Sequence, residues 1–268
     1  MSQLACTLTD SATMLRRELK RLRRYPSMTV LLVGMPVVFL LLFVYVFGGQ
    51  LGTSLGGGHS VGHASRTAYL NFIVPGILLM TVAASANGRA VLVAMDMTEG
   101  IIARFRTMAI ARASVLTGHV LGSMIQALLG VTVVIGIALT LGFRPTASPL
   151  AWLAALGVMV LFAFALAWLA VALGLAAKSV ETAGNTPMVL TLLPFLGSDF
   201  VTVASLPAGL RQFARYQPFT PVTDTLRGLV LGGSAVGADA IRGVAWSAGI
   251  ALISYLWATH LYAHRSTT

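Results

Sequence analysis

The chain has 268 residues, 57% of them hydrophobic and only 10% charged, with a mean hydropathy of +0.85. A soluble domain carries about 25% charged residues, so this composition excludes a soluble enzyme and points to a polytopic helical membrane protein. The net charge of +10 gathers beside apolar runs, which fits membrane topology rather than nucleic-acid binding.

Residues 1–10 read as a disordered polar tail holding the one cysteine, Cys6, which rules out an intrachain disulfide. Residues 11–25 carry Arg16, Arg17, Lys20, Arg21, Arg23 and Arg24, with Leu15, Leu19 and Leu22 at helical spacing. This pattern predicts a basic amphipathic helix along the inner leaflet. The next apolar run begins near Met28 and is too long for the core of a signal peptide, so it is read as a span.

Six spans are predicted, at about 28–47, 69–91, 115–141, 150–176, 186–204 and 240–262, within one transmembrane domain over 26–263. Pro36 is expected to kink the first. The loop after it is rich in glycine, and its His59 and His63 are a poor metal pair because GGGHSVGHAS does not read as a helix. Arg89 is expected to snorkel from the end of the second span to the interface.

Between spans two and three lies the largest polar interruption in the apolar body, Asp96 to Val120. Asp96 with Glu99 three residues on reads as a capping-box helix start. Ile101, Ile102, Phe105, Met108 and Ala109 then share one face, beside Arg104, Arg106 and Arg112. A short amphipathic cytoplasmic helix follows, either docking a soluble partner or resting on lipid headgroups.

The fifth span is broken by Pro187 and Pro194 and gives way to Gly197-Ser198-Asp199. Residues 208–233 are too polar to span and read as a re-entrant or interfacial helical pair on the outer side. Six spans put both termini in the cytoplasm. The predicted inner segments then hold twelve basic residues and the outer segments six, four of which follow span five.

The chain has no G-x-x-x-x-G-K-[ST], no H-E-x-x-H and no G-x-S-x-G, so no catalytic residue, metal ligand or bound cofactor is assigned. The cores of spans one to four and six are read as free of ionisable groups, which argues for an outside energy source over ion coupling. Asp199 is the candidate for substrate binding or an outer gate: it would hold a cationic substrate, hold the re-entrant backbone, or cap a helix end in a wet vestibule. Asp224 and Arg227 are spaced for a local ion pair.

The order of these features resembles the membrane permease of ABC-2 type exporters, most closely the daunorubicin/doxorubicin-resistance permeases of actinobacteria. The matching pieces are Arg24-Tyr25-Pro26, Tyr45 to Gly49, Tyr69-Leu70 through Pro75-Gly76, the D-x-x-x-G-x-x-x-R-[FL]-R pattern of Asp96, Gly100, Arg104, Phe105 and Arg106, Leu206-Pro207, Gln217 to Pro221, and Leu226-Arg227-Gly228. The resemblance implies a subunit of a multi-pass exporter in the cytoplasmic membrane, moving a hydrophobic drug-like or lipid substrate outward. It implies a second permease copy or homologue and two separate ATPase subunits that carry ATP and Mg2+. In that frame Asp96, Glu99, Gly100, Arg104, Phe105 and Arg106 couple to the ATPase, and residues 11–25 form an elbow helix that also touches it. The alternatives are export of a polysaccharide or lipid-linked glycan, or a membrane scaffold or sensor without transport. Two departures stand out: Ala109 replaces a frequent proline, and Ser198 to Thr202 adds an acid and lacks a proline near the outer gate.

Overall fold

The computed structural model describes residues 3–24, 26–48, 63–100, 112–203, 206–232 and 236–264. Every element among them is helical: α1 Gln3–Arg24, α2 Pro26–Leu42 with a π-helical turn Phe43–Phe47, α3 His63–Thr98, α4 Arg112–Thr140, α5 Pro149–Ala176, α6 Val180–Asn185, α7 Met188–Leu192 with a 3-10 turn Leu193–Leu196, α8 Ala208–Tyr216, α9 Phe219–Leu231 and α10 Val236–His264. Five of these, α2 with its π-turn, α3, α4, α5 and α10, are long and apolar enough to cross a bilayer.

Burial sorts the long helices. The apolar window of α3 is 78% buried, against 17% for α2 and 22% for α10. The centre of the bundle is therefore α3, and α2 and α10 turn most of their apolar surface outward, as helices facing lipid do. Small residues let its neighbours approach closely. A Cβ at Gly88 would lie 2.8 Å from Leu32, one at Gly174 of α5 would lie 2.6 Å from the Ala90 carbonyl oxygen, and one at Gly130 of α4 would lie 2.8 Å from Thr81. A Cβ at Gly136 or Gly157 would meet nothing within 4 Å.

Residues 186–204 divide at the two prolines, as their sequence leads one to expect: Pro187 precedes α7 and Pro194 lies in the 3-10 turn, and neither can supply the N–H that helical continuity needs. Two expectations change. Residues 3–10 belong to α1 rather than to a disordered tail. In addition, α3 runs on to Thr98, so Asp96 lies near the end of a helix and caps no start. Gly100, in the left-handed region at φ +69°, closes α3, with the Glu99 and Gly100 N–H groups donating to the carbonyls of Met95 at 2.9 Å and Met97 at 3.2 Å. Arg104, Phe105 and Arg106, like His59, lie outside the described residues, and His63 is the first residue of α3.

Candidate functional site

Two polar knots hold the bundle, one at each end of α3. The first gathers where α1, the end of α3 and the start of α4 meet. Met14 and Glu18 of α1 pack on Gly118 and Gly122 of α4, where a Cβ would lie 2.6 Å from Met14 and 3.1 Å from Glu18. This close fit carries Glu18 into the protein interior, where it is 3% exposed. There Arg89 Nη1 donates to Glu18 Oε2 at 2.5 Å, with the whole Arg89 side chain buried. From either side of Glu18 on α1, Arg17 and Arg21 each donate to Asp96 at 3.1 Å. His119 of α4 lies between the two acids, with Nε2 3.5 Å from Asp96 and Nδ1 3.9 Å from Glu18.

Burial corrects one reading. Arg89 does not snorkel, because its guanidinium points inward to Glu18. Arg89 and His119 are buried ionisable groups near the ends of the candidate spans Arg66–Thr98 and Ser114–Thr140, where the expectation for the span cores did not reach. Glu18, Arg89 and His119 come from three separate segments, so no local motif announces them. The small residues Gly118 and Gly122, one turn apart on α4, were the available signal.

Glu18, Asp96 and His119 place ligand-type atoms within 4.8 Å of one another, a donor set of metal-binding type. Three guanidinium groups already engage its two carboxylates. A divalent cation would have to displace them or sit against their positive charge, so the cluster suits an ion-pair lock better than a metal centre.

The second knot lies near the other end of α3. Gly76 permits it: a Cβ there would fall 2.7 Å from the Asp199 Cβ and 2.8 Å from its carbonyl oxygen. Asp199 is fully buried and accepts a hydrogen bond from the Thr223 hydroxyl of α9. It does not face a wet vestibule. Arg227 of α9 stacks on the Phe72 ring at 4.0 Å and donates to the Phe72 carbonyl at 3.1 Å, the Ser198 carbonyl at 2.8 Å and Asp224 at 2.7 Å. The Ser198 hydroxyl donates to the same Asp224 oxygen at 2.8 Å. Gln217 Nε2 donates to the Leu193 carbonyl at 3.0 Å, tying α8 and α9 to the 3-10 turn. One guanidinium thus binds α3, the Ser198 turn and α9 together.

Phe200 completes this end. It stacks on Phe43 and Phe195 with centroids 4.8 and 4.7 Å away. Three of the four arginines after span five are engaged locally: Arg227 with Asp224, Arg242 with Asp239 at 3.2 Å, and Arg211 with the Leu206 carbonyl, while Arg215 lines a cavity of about 590 Å³ together with Arg211, Asp224, Asp239 and Arg242.

A family comparison decides what this arrangement is. The model of the ABC-2 type transporter matches residues 10–231. The chain belongs to the ABC-2 type transporter family. This permease is similar to the daunorubicin resistance ABC transporter permease protein DrrB1 of Streptomyces coeruleorubidus, at 27% identity over 229 residues covering 85% of this chain and 77% of the relative. It is also similar to the probable doxorubicin resistance ABC transporter permease protein DrrC of Mycobacterium tuberculosis, at 25% identity over 252 residues, 94% of this chain and 88% of the relative. ABC-2 permeases are the membrane subunits of ABC transporters. This permease accordingly has no ATPase site of its own and works with an ABC ATPase.

Proposed function

We propose that this permease exports a hydrophobic drug-like or lipid substrate outward across the cytoplasmic membrane. It does so paired with a second permease copy or homologue and driven by two ATPase subunits carrying ATP and Mg2+. The observation that carries this reading is the inner knot. Residues 101–111 join the end of α3 to the start of α4 in the chain, and both of those helices are tied to α1 through Asp96, Arg89, His119 and Glu18. A push on that segment by a docked ATPase moves three helices as one body. Glu99 and Gly100 form its entry, and Arg104, Phe105 and Arg106 are its contact residues. Such a push shifts an equilibrium only if the contacts differ between the inward- and outward-facing states.

A sixth crossing is supported by the path of residues 184–199. A Cβ at Gly184 would lie 3.6 Å from Val91, while the segment reaches Asp199 beside Gly76. Fifteen residues of α3 separate those levels, roughly 22 Å at helical rise. Both ends of the chain then lie on the cytoplasmic side, with α1 as the interfacial helix and α8–α9 as the outer re-entrant pair. Asp199 serves as a gate element by holding the re-entrant backbone to Gly76. The names of the drug-resistance relatives support a hydrophobic substrate.

The test is co-purification with the cognate ATPase, followed by dye uptake into inside-out vesicles. Wild type is expected to accumulate a lipophilic dye on ATP addition. Arg104→Glu with Arg106→Glu is expected to lose uptake and ATPase binding while keeping its melting temperature. A wild-type complex that hydrolyses ATP without moving any dye would overturn the substrate class. A double variant that transports normally would overturn the coupling assignment.

A further inference from the structure

The cavity of about 590 Å³ lies among Val203, α8, α9 and the first turns of α10. Small-molecule sites run to about 300–1,000 Å³. Five charged side chains line this one, and they are sorted by sign. The α8 side carries Arg211 and Arg215, one turn apart on one helix face, and no acid. The acids, Asp224 and Asp239, come from α9 and α10, with Arg242 next to Asp239.

Both acids are held from their own side. Asp224 receives Arg227 and the Ser198 hydroxyl, and Asp239 receives Arg242, in each case on Oδ1. Oδ2 is left as a further acceptor on each carboxylate. On the α8 side, two hydrogen bonds to the Leu206 carbonyl aim Arg211, while Arg215 is exposed and makes no ion pair with any described carboxylate. A plain anion would use the arginines and leave the acids idle, and a plain cation would do the reverse. A molecule with both charges uses both sides. A planar carboxylate fills one guanidinium fork, whereas a phosphate presents oxygens in several directions and two forks can share it.

We propose that this cavity binds an ammonium phosphate zwitterion of the ethanolamine phosphate type, its phosphate on Arg211 and Arg215 and its ammonium on Asp224 and Asp239. The free molecule and the headgroup of phosphatidylethanolamine offer the same chemistry, and the experiment separates them. Occupancy bears on the neighbouring knot, because the ammonium competes with Arg227 for Asp224. The proposal rests on the charges of this cavity and not on the export reading, so either survives failure of the other.

The experiment uses the full-length chain, purified in a neutral detergent. It is titrated with O-phosphoethanolamine, inorganic phosphate, ethanolamine, phosphatidylethanolamine or phosphatidylglycerol, and read by native mass spectrometry and melting temperature. O-phosphoethanolamine is expected to bind about tenfold more tightly than phosphate or ethanolamine alone and to raise the melting temperature. Arg215→Gln is expected to abolish its advantage over ethanolamine, and Asp239→Asn its advantage over phosphate. Neither side chain is buried, so both variants are expected to keep the ligand-free melting temperature. Phosphatidylethanolamine binding more tightly than both phosphatidylglycerol and O-phosphoethanolamine supports the site with a lipid headgroup in it. O-phosphoethanolamine binding at least as tightly as the lipid supports the site with the free molecule in it. Inorganic phosphate matching O-phosphoethanolamine overturns the proposal and marks a plain anion site. Two variants that keep every wild-type preference also overturn it, because the ligand then sits elsewhere.

Discussion

Arg89 and Glu18 are 71 residues apart in sequence, yet the guanidinium of one donates to the carboxylate of the other at 2.5 Å, in a space closed to solvent. Removing one partner leaves the other charged, buried and uncompensated, which costs about 3–5 kcal/mol. Glu18→Ala and Arg89→Ala are each expected to lower the melting temperature sharply. The double replacement Glu18→Leu/Arg89→Met is expected to recover much of the loss, because no lone charge remains. A double variant as unstable as the singles would show that the pair does not carry this stability.

Asp96→Asn keeps the shape of the side chain and removes its charge. Arg17 and Arg21 are each part-exposed and regain water, so the expected loss of stability is small. The expected effect is on coupling: ATP hydrolysis persists in the complex while dye uptake falls. Parallel assays of hydrolysis and uptake check this, and a matched fall in both would place Asp96 elsewhere in the cycle.

Arg227→Lys retains the charge but loses the planar fork that reaches Phe72, Ser198 and Asp224 together. Transport is expected to fall several-fold with ATPase binding intact. Hydrogen exchange is expected to rise in residues 197–203 and in α9. Unchanged protection there would show that Arg227 does not hold this end shut.

Gly76→Ala places a methyl group 2.7 Å from Asp199 with no flexible neighbour to yield. The expected cost is about 1–3 kcal/mol, as for overpacking generally. Gly34→Ala, which meets nothing within 4 Å, is the control and is expected to be neutral or slightly stabilising. Melting curves of the two side by side decide the matter.

The sequence makes the apolar helices legible because lipid imposes length and hydropathy on each one separately. Asp224 and Arg227 were legible for a similar reason, since three residues on a helix set their contact. Asp96 was misread because Asp-x-x-Glu is a helix-start pattern when viewed locally. Its real partners, Arg17 and Arg21, sit 79 and 75 residues away. Glu18 looked like one more polar residue on a basic helix, and only the packing of α1 on Gly118 and Gly122 carries it inside. Asp199 was recognised as unusual, but its environment depended on Gly76 and Thr223, which no spacing rule connects to it.

The Glu18–Arg89 pair also sets an order of assembly. As the chain is synthesised, Glu18 leaves the ribosome 71 residues before Arg89, and His119 follows later still. The first helix therefore waits at the membrane surface with its acid in water. It docks only after α3 and the start of α4 have entered the bilayer. Chains truncated before His119 should leave α1 open to protease, and longer ones should protect it.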